Sequence, residues 1–136
     1  AKYKKSQSKT VIMISDGELN EGSIWEAILF APHLNLSNLT VIVDYNKIQS
    51  FGITNEIVNL EPLNEKLNAF NWHVIEVNGH DMIAIESALN EKANKPKMII
   101  AHTVKGKGIS FMENKLEWHY RSPNDDLLQQ ALIELK

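Results

Sequence analysis

Three polar positions in this chain have the residue types and spacing to handle an anion and a hard cation. Asp16-Gly17 ends one apolar run and precedes a helical pattern, Asn46 follows the next apolar run, and Lys105 follows a later one. Asp16 offers a carboxylate oxygen and Asn46 an amide oxygen. Gly17 permits a tight turn or the close approach of another backbone. The helix expected after it would turn its positive N-terminal end toward an anion. An acidic and an amide oxygen facing such an end suit a magnesium ion that already holds a phosphate, because magnesium takes few protein ligands and completes its octahedron with phosphate and water. The competing reading is structural: Asp16 caps a helix, Asn46 makes a turn and Lys105 is a solvated cation. For the Asp-Gly pair taken alone, the structural reading is the better one.

Four apolar runs would carry these residues. Val11-Ile12-Met13-Ile14, Leu39-Thr40-Val41-Ile42-Val43, His73-Val74-Ile75-Glu76-Val77 and Lys97-Met98-Ile99-Ile100-Ala101-His102 are short and lack alternation. That pattern predicts strands covered on both faces, as in a parallel sheet. Helical spacing lies between them. Ile24, Ala27, Ile28 and Ala31 predict one helix, which Pro32 should kink or end early. Leu63, Leu67 and Phe70 predict a short second helix. Ile83, Ile85, Ala88 and Leu89 predict another with Asp81 as N-cap. Leu127, Leu128, Ala131, Leu132 and Leu135 predict a last helix opened by Pro123-Asn124-Asp125. Strands alternating with helices imply βαβ units, so the expected fold class is α/β, a doubly wound, mainly parallel sheet with helices on both faces. Ligands in such sheets bind beyond the carboxyl ends of the strands. Asp16, Asn46 and Lys105 should therefore gather along one edge. The stretch from Gly108 to Pro123 is the longest irregular one, and long loops in compact domains are often functional.

Composition narrows the class. The 136 residues suit one domain, and 43% apolar content is enough for an ordinary core. A net charge of −3 from 14 basic and 17 acidic residues gives no nucleic-acid surface. The longest apolar stretches are too short to span a bilayer. The absence of cysteine excludes disulfides and thiolate metal sites. A cytoplasmic domain is the default expectation.

Read together, separate blocks resemble one family. Ser15-Asp16-Gly17-Glu18-Leu19-Asn20-Glu21-Gly22-Ser23-Ile24-Trp25-Glu26-Ala27 followed by Asp44-Tyr45-Asn46-Lys47-Ile48-Gln49 resembles the thiamine diphosphate motif, a Gly-Asp-Gly with an Asn about one βα unit later. The version here is of the transketolase type. Phe70 to Asp81, Ala101 to Asn114, and Trp118-His119 also resemble transketolases, so the likeness runs from Val11 nearly to the end. It implies the diphosphate-binding fold of that family. It also implies thiamine diphosphate and magnesium as cofactors, with calcium or manganese as substitutes, and transfer of a two-carbon ketol unit between sugar phosphates.

The resemblance also implies residue roles. Asp16 and the Asn46 side chain would bind the metal with the backbone carbonyl of Ile48. Gly17 and the turn at Glu18 would meet the diphosphate through backbone amides, and Lys105 would stand near the cofactor, where a cation offsets residual negative charge. His119 would lie near diphosphate and sugar and could donate a hydrogen bond or move a proton. Glu21 and Glu26 would face the subunit interface and the partner half. Two residues depart from the family: Ser15 replaces the first glycine, with little change expected, and Tyr120 follows His119 where many relatives have glycine, which should narrow the substrate channel. His33, His73, His80 and His102 read as packed or surface residues, Trp25 and Trp72 as core or interface fillers, Trp118 as a support for the His119 loop, and Lys107 as solvated or not with even odds.

In the family a glutamate of a pyrimidine-binding domain activates the cofactor, and the site forms between two subunits. That domain and the upstream part of the diphosphate-binding domain are not in residues 1–136. The chain therefore reads as a single partial diphosphate-binding domain, inactive alone, needing a pyrimidine-binding domain or subunit in a homodimer or heterotetramer. Its exposed apolar edges should demand partners. The alternatives are a deoxyxylulose phosphate or dihydroxyacetone synthase type of thiamine enzyme, or a non-catalytic assembly domain. The Glu18-Leu19-Asn20-Glu21-Gly22 segment favours transketolase over the deoxyxylulose type.

Overall fold

The computed structural model describes residues 4–136. All four predicted runs are strands: β1 (Thr10–Ser15), β2 (Leu39–Tyr45), β5 (His73–Asn78) and β6 (Lys97–His102). They form one sheet in the order β1-β2-β6-β5, every pair parallel. Ser15 aligns with Asp44 and Asp44 with Ala101, while Tyr45 aligns with His102 and His102 with Asn78. The strand tips therefore end level, and the residues after them emerge along one edge. Two short strands, β3 (Ile48–Gln49) and β4 (Gly52–Ile53), make an antiparallel hairpin just beyond the tip of β2.

Among the described residues five helices accompany the strands: α1 (Gly22–His33), α2 (Thr54–Ile57), α3 (Leu63–Ala69), α4 (Met82–Asn90) and α5 (Asp125–Glu134). The main core lies on one face of the sheet. Ile14, Val41, Val43, Met98 and Ile100 point there and meet Ile28 and Ala31 of α1 and Leu63 and Leu67 of α3. Side chains alternate along a strand, so Lys97 beside Met98 points to the other face. There its ammonium donates to the carbonyls of Ala88, Leu89 and Glu91 at 2.6, 2.9 and 2.9 Å, a cation on the last orphan carbonyls of α4. Asp81 caps the start of α4 by accepting from the amides of Ile83 and Ala84, as its type predicts. Among the described residues no helix is long and apolar enough to cross a membrane.

Pro32 does not break α1 midway; the helix ends one residue later, at His33. A proline has no N–H to give the carbonyl four residues back. The buried indole of Trp72 supplies that bond instead, donating to the Ile28 carbonyl at 2.8 Å.

One expectation fails at β1. Lys97 to Ala101 of β6 are all buried, yet Val11, Ile12 and Met13 of β1 are 56%, 44% and 67% exposed. The apolar runs are alike, but β6 lies between two strands and β1 at an edge. α4 packs on β5 and β6, leaving Val11 and Met13 bare at the far side of the same face.

Candidate cofactor and metal site

The tip of β1 turns on a reciprocal pair of hydrogen bonds. Glu18 Oε2 accepts from the Ser15 amide at 2.8 Å and from its hydroxyl at 3.1 Å, while Ser15 Oγ accepts from the Glu18 amide at 3.2 Å. The pair is arranged as in a capping box, with Ser-x-x-Glu as its sequence signal, and it braces the turn ahead of a 3-10 segment whose own N-cap, Gly17, has no side-chain bond. The Ser15 hydroxyl therefore engages the Glu18 N–H that the resemblance implies would face a diphosphate. The turn then runs as a 3-10 segment over Glu18–Asn20, and α1 starts only at Gly22. The helix expected from Ile24, Ala27, Ile28 and Ala31 thus begins at Gly22, and i to i+3 bonds from Leu19, Asn20 and Glu21 close a tighter turn between it and Asp16-Gly17. Gly17 has an ordinary φ of −64°, so space and not backbone freedom demands glycine there. A Cβ on it would stand 3.3 Å from Gln49 Cβ.

Asp16 lies beneath this turn, 1% exposed. Its Oδ2 accepts from the Lys47 amide at 2.6 Å and the Thr54 hydroxyl at 3.2 Å. Burial pushes its carboxyl above the usual 3.8; these two bonds and the Gly17 amide pull it down, and Asp44 nearby pushes it up again. Among the described residues no salt bridge reaches Asp16. A buried carboxylate that lacks a cation and has a second acid beside it is a suitable seat for a metal ion.

Asn46 follows the end of β2. Its Oδ1 accepts from the Ile48 amide at 3.0 Å, an Asx turn that starts the β3–β4 hairpin, and its Nδ2 donates to Asp44 Oδ2 at 3.4 Å. The Lys47 amide between them ties the hairpin to Asp16. Asp16, Asn46 and Ile48 all line one cleft of about 500 Å³, together with Gly17, Glu18 and Glu21. Carboxylate, amide and backbone carbonyl oxygens are the ligands a hard divalent cation takes. Among the described residues no cluster of three His, Cys, Asp or Glu exists, as expected for a set with one acidic member. The donor chemistry and the buried Asp16, which no salt bridge reaches among the described residues, fit the implied magnesium. Asn20 Nδ2 donates to Gln49 Oε1 at 3.0 Å, joining the 3-10 turn to the hairpin, while Asn20 Oδ1 and Gln49 Nε2 are buried without a partner among the described residues.

The far wall comes from the long segment after β6. Lys105 lines the same cleft, and no salt bridge reaches it among the described residues. Gly106 has φ +74°, and a Cβ on it would lie 2.7 Å from Met112 Cβ. The loop therefore folds back over the glycine, and the Asn114 amide donates to the Lys105 carbonyl at 2.9 Å. His119 also lines the cleft, at the end of a 3-10 turn over Leu116–His119. Trp118 supports that turn as expected, its Nε1 donating to the Phe111 carbonyl at 2.8 Å.

The expected residues Asp16, Gly17, Glu18, Asn46, Ile48, Lys105 and His119 thus share one cleft. Glu21 reaches its rim and Glu26 lies exposed on α1. Tyr120 is not among the residues lining this cleft; its hydroxyl donates to the Ser50 carbonyl instead. His80 accepts from the Val104 amide at 2.7 Å, and His73 and His102 pair with Glu91 and Glu76. Lys107 reaches Glu113 at 3.5 Å. Sequence reasoning missed Thr54, Asp44, Gln49 and Ser50. Of these only the hairpin residues had a local signal, in Gly52.

Known proteins resemble this chain over nearly its whole length. Residues 1–134 match the family described as transketolase, thiamine diphosphate binding domain. An apulose-4-phosphate transketolase subunit from Actinobacillus succinogenes is 43% identical over 138 residues, covering 100% of this chain and 50% of the relative. A 6-deoxy-6-sulfo-D-fructose transketolase subunit from a Clostridium species is 44% identical, covering 91% of this chain and 46% of the relative. This chain thus spans about half the length of these curated relatives. The crystal structure of transketolase from Campylobacter jejuni superposes with a TM-score of 0.89 at 30% identity, covering 95% of this chain and 21% of that one. Fold, motif order and matched family agree: the chain belongs to the transketolase thiamine diphosphate binding domain family.

Proposed function

We propose that this chain supplies the diphosphate- and metal-binding part of a transketolase-type enzyme, a cytoplasmic transferase that moves a two-carbon ketol unit from a ketose phosphate to an aldose phosphate. The observation that carries this reading is the buried Asp16, with no salt-bridge partner among the described residues, sharing a cleft with Asn46, Ile48, Lys105 and His119. Thiamine diphosphate, when bound, supplies the carbon nucleophile and electron sink that such a transfer requires. Asp16, Asn46 Oδ1 and the Ile48 carbonyl would hold magnesium, which fits a site with few protein ligands next to phosphate. Gly17 and the Glu18 turn would approach the diphosphate. Lys105 would offset the charge that one divalent ion leaves on it. His119 would hydrogen-bond a sugar oxygen or move its proton while the donor C–C bond breaks and the new one forms to the acceptor aldehyde.

Three relatives are named as subunits, and this chain spans about half the length of each. We therefore assign residues 1–136 as one partial diphosphate-binding domain that acts with a pyrimidine-binding subunit or domain. The test is an assay of the assembled protein with thiamine diphosphate and magnesium, offering a ketose phosphate or pyruvate as donor. Ketol transfer from the ketose phosphate supports the assignment. Use of pyruvate instead identifies a deoxyxylulose type of enzyme, and no thiamine-dependent transfer from either donor overturns the reading.

A further inference from the structure

His119 sits on a weak mount. Its 3-10 turn has four residues and none of them is buried, and such turns hold their geometry poorly without help. Trp118 anchors the turn from behind, with its ring edge-on to Phe111 at 5.1 Å. From the front, one residue of the β3–β4 hairpin receives two contacts. Ser50 Oγ lies 3.2 Å from His119 Nε2, and the Tyr120 hydroxyl donates to the Ser50 carbonyl. Ser50 opens the two-residue loop between β3 and β4, so its carbonyl has no place in the Ile48–Ile53 and Gln49–Gly52 ladder. The Tyr120 ring stands edge-on to the imidazole, with centroids 5.0 Å apart at 66°. Tyr120 is 67% exposed, so core filling does not explain it. Its contacts are with the residue beside it and with a loop 70 positions away.

We propose that Tyr120 is a positioning residue: with Ser50 it latches the His119 turn onto the hairpin that carries Ile48. The proposal rests on the role given above to His119 and adds a residue to that site. The latch joins two loops that lie 70 positions apart in the chain. It presets the imidazole relative to the metal-binding side of the cleft before a sugar arrives. A group held in place before substrate binding contributes more than one that must be ordered during the reaction, and small misplacements are costly.

The test uses the assembled enzyme with its partner. Tyr120→Phe removes the hydroxyl and keeps the ring. It is expected to lower kcat for ketol transfer about tenfold, to leave the Kd for thiamine diphosphate and magnesium within about twofold, and to shift and broaden the His119 ring nitrogen signals in NMR. In a His119→Ala background the same substitution should cost nothing further, because Tyr120 acts through His119. An equal cost in both backgrounds overturns the latch, as do unchanged kcat and unchanged His119 signals in Tyr120→Phe. Ser50→Gly keeps the carbonyl and loses the hydroxyl, and should retain the part of the effect that belongs to Tyr120. If the wild-type assembly transfers no ketol unit, the functional assignment falls. The ring nitrogen signals then still decide the latch.

Discussion

The two walls of the cleft are built in different ways. The Asp16 wall is made of strand tips: β1 and β2 end in register, Asp16 is 1% exposed, and two donors fix one of its oxygens. The His119 wall is loop, with an exposed histidine held by Trp118 on one side and Ser50 and Tyr120 on the other. The difference matches the tasks proposed for them. A small cation tolerates little error in ligand placement, and strand tips in a packed sheet provide that rigidity. A sugar site must admit and release substrate, and loops on a rigid scaffold serve that better.

Asp16→Asn breaks the rigid wall most severely. It should weaken metal-dependent cofactor binding by about 100-fold or more, above the usual cost of disturbing a group that only supports a ligand. It should not lower the melting temperature of the cofactor-free protein, because the amide keeps an acceptor for Lys47 and Thr54 and removes a charge that burial disfavours. Calorimetric titration and a thermal scan together check both halves. Weakened binding with an equal loss of stability would mean that Asp16 is structural.

Trp118→Ala breaks the loop wall. It should lower kcat/KM about 30-fold, within the range for a displaced catalytic group, while thiamine diphosphate affinity stays near wild type. If cofactor affinity fell in parallel, the two walls would not be separable.

Thr54→Val sharpens the comparison through pH. Burial raises the Asp16 carboxyl above 3.8 and the Thr54 hydroxyl lowers it. Metal needs the carboxylate and protons compete for it, so affinity is retained above the folded-state pKa and lost as pH falls through it. Removing the hydroxyl lets that pKa rise, so the loss should begin at higher pH in the variant. At neutral pH the effect should be about tenfold on metal affinity. Coincident pH profiles for both proteins would contradict this.

Glu18→Ala has the smallest effect. It deletes one half of the reciprocal Ser15–Glu18 pair and should cost about 1 kcal/mol of stability, read as a fall of roughly 3 °C in melting temperature.

The sequence was informative where structure is local or strongly patterned. The four sheet strands were legible because each is a short, largely apolar run, and the α4 cap because Asp81 stands directly before the helix. The convergence of Asp16, Asn46 and Lys105 followed from parallel strands alone. The β3–β4 hairpin was not legible, because two-residue strands have no period to read. Thr54 could not be linked to Asp16 from sequence, since their contact across 38 positions depends on how the hairpin folds back. The bareness of β1 was hidden for a related reason. Val11-Ile12-Met13 and Met98-Ile99-Ile100 are similar in composition, and only their place in the sheet order distinguishes them. The reciprocal Ser15–Glu18 bonds have a local signal in Ser15-x-x-Glu18, because both partners lie within four residues.

The most direct test of the account concerns Asp16 and Asn46 as joint holders of one cation. Magnesium affinity in the presence of thiamine diphosphate should be measured by calorimetry for the assembled wild-type protein, Asp16→Asn, Asn46→Ala and the double variant. The account predicts a large loss in each single variant and little further loss in the double, because either change alone disables the shared site. Wild-type affinity in both single variants would contradict it.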